Sequence, residues 1–225
     1  MTSSPFGLYL HIPFCRQRCD FCAFYLEIYR ENRAETFVRS LLHEIGMSGQ
    51  PQVAAGRPIQ SVYFGGGTPT ALAATQLAAI LSEVRKHFTL TSDCEITVEA
   101  HPSTISEQDL AQLYQAGVTR MSFGAESMED GDLARIGRPG AVSETVTAVT
   151  QARAVGFSNI NLDLMYGLPG QSLVGWKRTL AHCLTLTPTH LSAYALTVEE
   201  DTRLASNIQC HLSPAPDEGL QIEMD

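Results

Sequence analysis

The sequence predicts an α/β protein, a partial (β/α)6 barrel of six units in series. Three observations carry that expectation. Strand-like and helix-like segments alternate, the strands are short and rich in apolar or β-branched residues, and glycine or acidic clusters follow one strand after another. Strands are expected at Leu8–Ile12, Ser61–Phe64, Glu95–Val98, Arg120–Phe123, Ile160–Leu164 and Leu191–Leu196. Most of them read as nearly continuous in apolar residues, as when both faces are covered. Helical periodicity marks Ala34–Gly46, Thr75–His87, Glu107–Ala116, Val142–Val155 and Val174–Leu184. Ser106 before Glu107 and Asp109 is an N-cap, Ser143-Glu144 gives the fourth long helix a similar start, and Gly117 and Gly156 follow the last turns of two helices. A doubly wound sheet is the alternative, but there only the strands beside the reversal of strand order meet a ligand. In a barrel the C-terminal ends of successive strands converge. Gly65-Gly66-Gly67-Thr68 follows the second strand, Glu99 the third and Gly124-Ala125-Glu126-Ser127 the fourth, and Asp163 lies within the fifth. That distribution favours the barrel. Residues 217–225 look like a helix that starts and then stops, and no second complete domain, internal repeat or low-complexity tail is visible.

The bulk properties are those of a globular chain. With 225 residues, 44% hydrophobic and 17% charged, one domain over residues 1–225 is expected. A formal charge of −9 argues against a nucleic-acid partner, although Arg16-Gln17-Arg18 is a local basic cluster. Met1-Thr2-Ser3-Ser4-Pro5 lacks the basic start of a secretory signal, and the longest Ala/Leu-rich stretch, Ala71 to Leu81, is too short to be a transmembrane segment. A cytoplasmic, reducing compartment is the expectation. There, the six cysteines are metal ligands or buried thiols rather than disulfides. Cys94, Cys183 and Cys210 lie far apart and read as small buried hydrophobes or surface thiols.

Cys15, Cys19 and Cys22 differ from these. They are spaced C-x3-C-x2-C directly after the first strand. Three thiolates on one loop can bind three irons of a cubane cluster and leave the fourth open to a ligand, as the open position of catalytic zinc is. A zinc site with His11 as fourth ligand is the competing reading. Structural zinc draws on two ligand pairs, no second C-x2-C or H-x3-H occurs, and His11 inside an apolar strand reads as a packed, hydrogen-bonded side chain. Gly65-Gly66-Gly67-Thr68-Pro69 lets backbone approach a ligand and adds a hydroxyl; no Gly-Lys-Ser/Thr follows, so it is not a P-loop. Glu99, Glu126, Arg138 and Asp163 supply acceptors for hydroxyls and an amine, and a guanidinium for a carboxylate. Those are the groups of a nucleoside that carries an amino acid.

Three stretches, Tyr9-Leu10-His11-Ile12-Pro13-Phe14-Cys15-Arg16-Gln17-Arg18-Cys19-Asp20-Phe21-Cys22, Gly65-Gly66-Gly67-Thr68-Pro69 and Asn161-Leu162-Asp163-Leu164-Met165-Tyr166-Gly167-Leu168-Pro169-Gly170, together resemble the radical S-adenosylmethionine (SAM) enzymes related to oxygen-independent coproporphyrinogen III oxidase. The resemblance runs from about Tyr9 to the last residue, and within the family it is strongest to the heme-chaperone branch, HemW. It implies a partial TIM-like radical SAM barrel with a 4Fe–4S cluster on Cys15, Cys19 and Cys22. The fourth iron would take the amine and carboxylate of SAM, and electron transfer to the sulfonium would release a 5′-deoxyadenosyl radical. By matching position, Tyr9, Phe21, Gly66, Gly67, Thr68, Glu99, Glu126, Arg138 and Asp163 would contact SAM. The implied partners are heme or a porphyrin, a heme-accepting respiratory protein and a reducing electron donor.

Three departures qualify what the resemblance implies. The oxidases carry a further cysteine where this chain has Phe24, which disfavours porphyrinogen decarboxylation. The family usually has Gln where Glu126 stands, and a carboxylate accepts hydrogen bonds but does not donate them. Family members also continue well past the equivalent of Asp225, so the reading is of a C-terminally truncated core without the family's C-terminal domain. Three functions follow: a heme chaperone on a radical SAM scaffold; a coproporphyrinogen III dehydrogenase or a tetrapyrrole methyltransferase; or a truncated cluster-binding protein without turnover. The sequence singles out no heme ligand among His43, His87, His101, His182, His190 and His211.

Overall fold

The computed structural model describes residues 5–49 and 57–225; Met1–Ser4, part of the stretch examined for a secretory start, lies outside them. The central element is a six-stranded sheet of β1 (Phe6–Ile12), β4 (Ile59–Gly66), β5 (Leu90–Ala100), β6 (Arg120–Glu126), β7 (Asn159–Tyr166) and β8 (His190–Ala195). The spatial order is β1-β4-β5-β6-β7-β8, and every pair is parallel. Each strand therefore lies beside its predecessor in that series, with no reversal of order. This is the winding of a barrel rather than of a doubly wound sheet. Among the described residues β1 and β8 do not pair with each other, so the barrel is open.

Helices α1 (Glu31–Ser48), α2 (Ala74–His87), α3 (Glu107–Gln115), α5 (Val142–Val155) and α6 (Leu173–Thr185) match the five expected ones, and α8 (Glu218–Met224) is the helix seen starting near the C-terminus. Their apolar stripes share one core with one face of the sheet. Leu10, Ile12, Val62, Phe64, Val98, Met121, Phe123, Ile160 and Leu162 come from the strands; Leu77, Ile80, Leu110, Val149 and Trp176 come from the helices. The Ser106 cap read from the sequence is formed, whereas Ser143 lies inside α5, whose N-cap is Ala141, with its N–H held by Glu144 Oε2 at 2.8 Å. Ser106 Oγ accepts from Asp109 N at 3.2 Å while Asp109 Oδ2 accepts from Ser106 N at 3.0 Å, a reciprocal cap that stabilises a helix start by about 1 kcal/mol.

The strands are not continuously apolar, as the sequence reading had it. In Arg-Met-Ser-Phe-Gly-Ala-Glu of β6 and Asn-Ile-Asn-Leu-Asp-Leu-Met-Tyr of β7, polar and apolar residues alternate. Register lines up Tyr9, Tyr63, Thr97, Arg120 and Asn159 across the sheet, and one step on Ser122, Asn161 and His190. The cause is that helices cover only the outer face. The inner face lines a polar concavity and needs hydrogen-bonding side chains.

Three further features are absent from the sequence reading. A parallel pair of two-residue strands, β2 (Phe14–Cys15) and β3 (Glu27–Ile28), closes the cysteine loop at its base, flanked by Glu27 N to Pro13 O at 2.7 Å and Tyr29 N to Cys15 O at 2.9 Å. Two short helices, α4 (Asp130–Arg135) and α7 (Arg203–Gln209), follow β6 and β8. Gly67 N donates to Ile12 O at 2.8 Å and Thr68 N to Phe14 O at 2.7 Å, which binds the glycine loop to the base of the cysteine loop. A Cβ on Gly67 would lie 2.8 Å from Phe14 O and 2.9 Å from the Pro13 carbonyl carbon, both backbone atoms with no freedom to yield. Gly67→Ala is expected to lower stability by about 1–3 kcal/mol in urea unfolding; an unchanged midpoint would show that the two loops are not packed this closely.

Candidate cofactor site at the strand ends

The cysteine loop lies over the C-terminal end of β1. Cys15 and Cys19 are buried and Cys22 is half-buried. The loop is tied to distant segments by backbone bonds, Asp20 N to Ile136 O at 3.0 Å and Leu204 N to Asp20 O at 2.8 Å. Cys15 Sγ sits 3.4 Å from Thr68 Oγ1, and Arg138 Nη1 donates to Cys19 Sγ at 3.7 Å. Burial pushes the thiols of Cys15 and Cys19 above their ordinary range, opposed at Cys15 by the Thr68 hydrogen bond and at Cys19 by the Arg138 charge. The Cys22 sulfur is close enough to raise both. Among the described residues no three Cys, His, Asp or Glu side chains converge on a point that a single metal ion would occupy. His11 does not join the three cysteines. It is exposed rather than packed, with Nδ1 3.2 Å from Tyr9 Oη.

The glycine loop brings the ends of β4 and β5 together. Gly66 has φ +118°, a conformation open to glycine, and its N–H donates to Glu99 Oε2 at 3.2 Å. Tyr63 Oη donates to Glu99 Oε1 at 2.7 Å, and the Tyr63 ring stacks on Tyr9 with centroids 6.1 Å apart. Burial raises the Glu99 carboxyl above its usual range, and these two hydrogen bonds hold part of that rise back.

Beyond a register shift between Gly124 and Glu126, β6 ends on Glu126 in a left-handed conformation, φ 61°. Such a conformation is strained for a residue other than glycine and persists because its surroundings impose it. The side chain, 14% exposed, faces Arg138 with 3.5 Å between Oε1 and Nη2. Arg138 also donates to the Gly124 carbonyl. Desolvation raises the Glu126 carboxyl, with Arg138 opposing and Asp163 and Glu99 adding to the rise. On β7, Asp163 accepts from Ser122 Oγ at 2.9 Å and Asn161 Nδ2 at 2.8 Å; Asn161 Oδ1 in turn lies 2.5 Å from His190 Nδ1 and accepts from Ser192 Oγ at 3.2 Å. Behind the site, the buried Asp132 carboxylate accepts from Ser127 Oγ at 2.9 Å, Gln171 Nε2 at 3.0 Å and Arg135 Nη1 at 2.8 Å. This hub fixes α4, whose Leu133 carbonyl accepts from Arg138 N at 2.9 Å. His101 is also buried nearby; burial and the Arg138 charge push its pKa down to about 3, so its neutral Nδ1 accepts from Ser103.

Tyr9, Gly66, Gly67, Thr68, Glu99, Glu126, Arg138, Asp163 and the three cysteines thus gather at the C-terminal ends of β1, β4, β5, β6 and β7 or in the loops that follow them. Phe21 is set apart: its ring packs against Ile136, Leu168, Leu196 and Leu204. Tyr63, Ser122 and Asn161 belong to the site and were missed by sequence reasoning; the period-two alternation of β6 and β7 is the signal that would have found the last two. Cys94 and Cys183 are buried and Cys210 is exposed, as expected. The mouth of the concavity holds three carboxylates, Glu99, Glu126 and Asp163, with Arg138 as the guanidinium among them. Such a surface favours a cation that presents hydroxyl or amine donors.

With this geometry in view, the chain compares closely with known proteins. The family model of the radical SAM superfamily matches residues 9–183. The chain is 36% identical over 224 residues to the heme chaperone HemW of Mycobacterium tuberculosis, an alignment that covers 98% of this chain and 57% of that protein. It is 35% identical to HemW of Bacillus subtilis, with 96% of this chain and 58% of that protein covered. Among solved structures it resembles the coproporphyrinogen III oxidase HemN of Escherichia coli, a radical SAM enzyme, with a TM-score of 0.88, 28% identity, and 100% and 51% of the two chains covered. The chain therefore spans a little over half the length of the relatives it matches.

The raised carboxyls make stability depend on pH. An acid whose pKa is raised by folding holds its proton more tightly folded than unfolded. It penalises the fold above that raised value and ceases to do so below its unfolded value. Metal-free Glu126→Gln is therefore expected to be more stable than the parent at about pH 7.5, the gap closing as pH falls toward about 4.5, in urea unfolding at a series of pH values. A gap that widens on acidification contradicts the direction assigned to Glu126.

Proposed function

The chain belongs to the radical SAM superfamily, and on that footing we propose that it binds a 4Fe–4S cluster and SAM and acts as a heme chaperone of the HemW kind. The observation that carries the cofactor reading is the set of three neighbouring sulfurs beside a mouth of three carboxylates and one guanidinium. The donor set fits both groups. Thiolates are the usual ligands of iron–sulfur clusters, and SAM carries a sulfonium and amine N–H donors for the carboxylates and one carboxylate for a guanidinium. When bound, the cluster and SAM supply one-electron chemistry that side chains lack.

The chain's own residues do the rest. Cys15, Cys19 and Cys22 hold the cluster, and because burial keeps Cys15 and Cys19 protonated, loading releases protons. Thr68 and Arg138 direct hydrogen bonds at Cys15 and Cys19 and so orient the sulfurs. Glu99, held by Tyr63 and Gly66, and Asp163, held by Ser122 and Asn161, present fixed acceptors. Tyr9, Gly66, Gly67, Thr68, Glu126 and Arg138 complete the SAM contacts, while Phe21, expected among them from the sequence, packs in the neighbouring apolar cluster instead. We take residues 1–225 as one radical SAM core domain.

A heme-chaperone role is supported by the names of relatives matched over nearly this whole chain, and by Phe24, 70% exposed, where the oxidases have a further cysteine; a respiratory protein as the recipient is part of the proposal. The likeness to HemN supports a second reading, oxidative decarboxylation of coproporphyrinogen III. A cytoplasmic, reducing setting belongs to the same proposal, since the cysteines must stay free to bind iron. Among the described residues no helix is long and apolar enough to cross a membrane.

Titration of anaerobically reconstituted protein with heme is expected to give a saturable Soret band. No 5′-deoxyadenosine should be released with coproporphyrinogen III; release without heme binding would favour the oxidase. Cys15→Ala should lose the cluster's visible absorbance and most of its iron, and retention of the full iron content would refute the ligand assignment. Arg138→Ala is expected to weaken SAM binding by about 10- to 100-fold in calorimetry, the loss of a charge-assisted contact; unchanged affinity would remove Arg138 from the SAM site.

A further inference from the structure

The cysteine loop has two electrically different sides. On its inner side the Cys19 sulfur feels the negative charge of Glu126. The crest of the loop carries Arg16, Gln17 and Arg18, all exposed above buried Cys15 and Cys19. Both guanidiniums are held by neutral groups. Arg16 donates to the Ala71 carbonyl at 3.3 Å and lies 4.1 Å over the Tyr29 ring, and Arg18 donates to the Cys22 carbonyl at 3.3 Å. Neither forms an ion pair among the described residues. Arg203, 78% exposed, adds a third guanidinium at the loop's far end, 3.9 Å from Asp20, whose own carboxylate is mostly covered. Asp20 partly offsets Arg203, so in a chain of net charge −9 the positive charge of this face without a carboxylate partner among the described residues is that of Arg16 and Arg18, on the loop that carries the sulfurs.

The crest also borders a cavity of about 610 Å³, lined by Arg16, Gln17 and Thr68 on one side and by Ser103, Ser106 and Asp109 on the other. Asp109 is already engaged in capping α3. Thr68 spans the wall between cavity and site, since its hydroxyl lies 3.4 Å from Cys15 Sγ. The Arg18 charge also reaches Cys15. A partner seated on the crest would therefore be separated from the Cys15 sulfur by little more than one side chain. An acidic partner would be repelled from the carboxylate-lined mouth and drawn to this face.

We propose that the crest of the cysteine loop, Arg16 and Arg18 with the adjoining cavity, is the docking surface for a small acidic electron-transfer protein. The proposal rests on the cluster reading above. In the step it serves, one electron leaves the docked donor, which is oxidised by one equivalent, and enters the cluster, which is reduced by one; no bond forms or breaks and no proton has to move. The basic crest sets the partner's charge and orientation, while the mouth stays free for SAM and for whatever the concavity holds.

The test uses anaerobically reconstituted protein and flavodoxin as the acidic probe, with binding measured by interferometry at about 50 and about 300 mM salt. The unaltered protein is expected to bind, more weakly at the higher salt. Arg16→Glu with Arg18→Glu should weaken binding by about tenfold or more, and the milder Arg16→Gln with Arg18→Gln should fall between. Iron and sulfide content, and bleaching by the small reductant dithionite, should stay unchanged while bleaching by reduced flavodoxin slows. Equal affinity in all three proteins, no binding by the unaltered protein, or equal slowing with dithionite would overturn the docking surface. Unaltered protein that retains no iron and sulfide would instead overturn the cluster reading, and the docking proposal with it.

Discussion

Arg138 joins parts of the chain that the sequence keeps far apart. Its guanidinium donates to Cys19 Sγ on the N-terminal loop and to the Gly124 carbonyl on β6, and it faces the Glu126 carboxylate. It is the cation among three carboxylates and beside three thiols. Without it, the half-buried acids would repel one another in a low-dielectric space, and Glu126 would hold its proton harder still. Its placement is secured from behind by α4 and by the buried Asp132 hub, which binds the segment after β6 to the segment after β7. Much of the polar bonding outside the sheet serves to keep this one cation where the strand ends meet.

The fold supplies that meeting point through a simple winding rule. Six parallel strands added in sequence order bring their C-terminal ends to one rim, and helices on the outer face alone leave an inner face free for polar residues. The inner rows are ladders of hydrogen bonds. His190 and Ser192 hold Asn161, Asn161 and Ser122 hold Asp163, and Tyr63 holds Glu99. The acceptors at the rim are therefore fixed from below, which is what a binding site requires if its partners are not to pay for ordering it.

The rim was legible in the sequence because glycine and acids in successive strand ends are hard to explain otherwise. Gly66 and Gly67 are demanded by a positive φ and by contact with Pro13 and Phe14 backbone, and glycine leaves that trace in any sequence. The supporting rows were missed, because the expectation of nearly continuous apolar strands passes over the alternation that sets Ser122 and Asn161 apart from Met121, Phe123, Ile160 and Leu162. The β2–β3 pair and α4 escaped for a different reason. Elements of two and six residues are too short to show a period, and their existence depends on tertiary bonds such as Asp132 to Gln171. The left-handed Glu126 is likewise invisible in sequence, since a strained conformation is imposed by the surroundings and not by the residue.

The functional account rests on one claim, that three thiolates leave one corner of an iron–sulfur cluster for SAM. Mössbauer spectroscopy of protein reconstituted with ⁵⁷Fe, with and without SAM, tests it most directly. The account predicts a 4Fe–4S spectrum in which one iron of the four changes its isomer shift and quadrupole splitting when SAM is added. Four irons that remain indifferent to SAM, or a protein that takes up zinc in place of iron and sulfide, would contradict it.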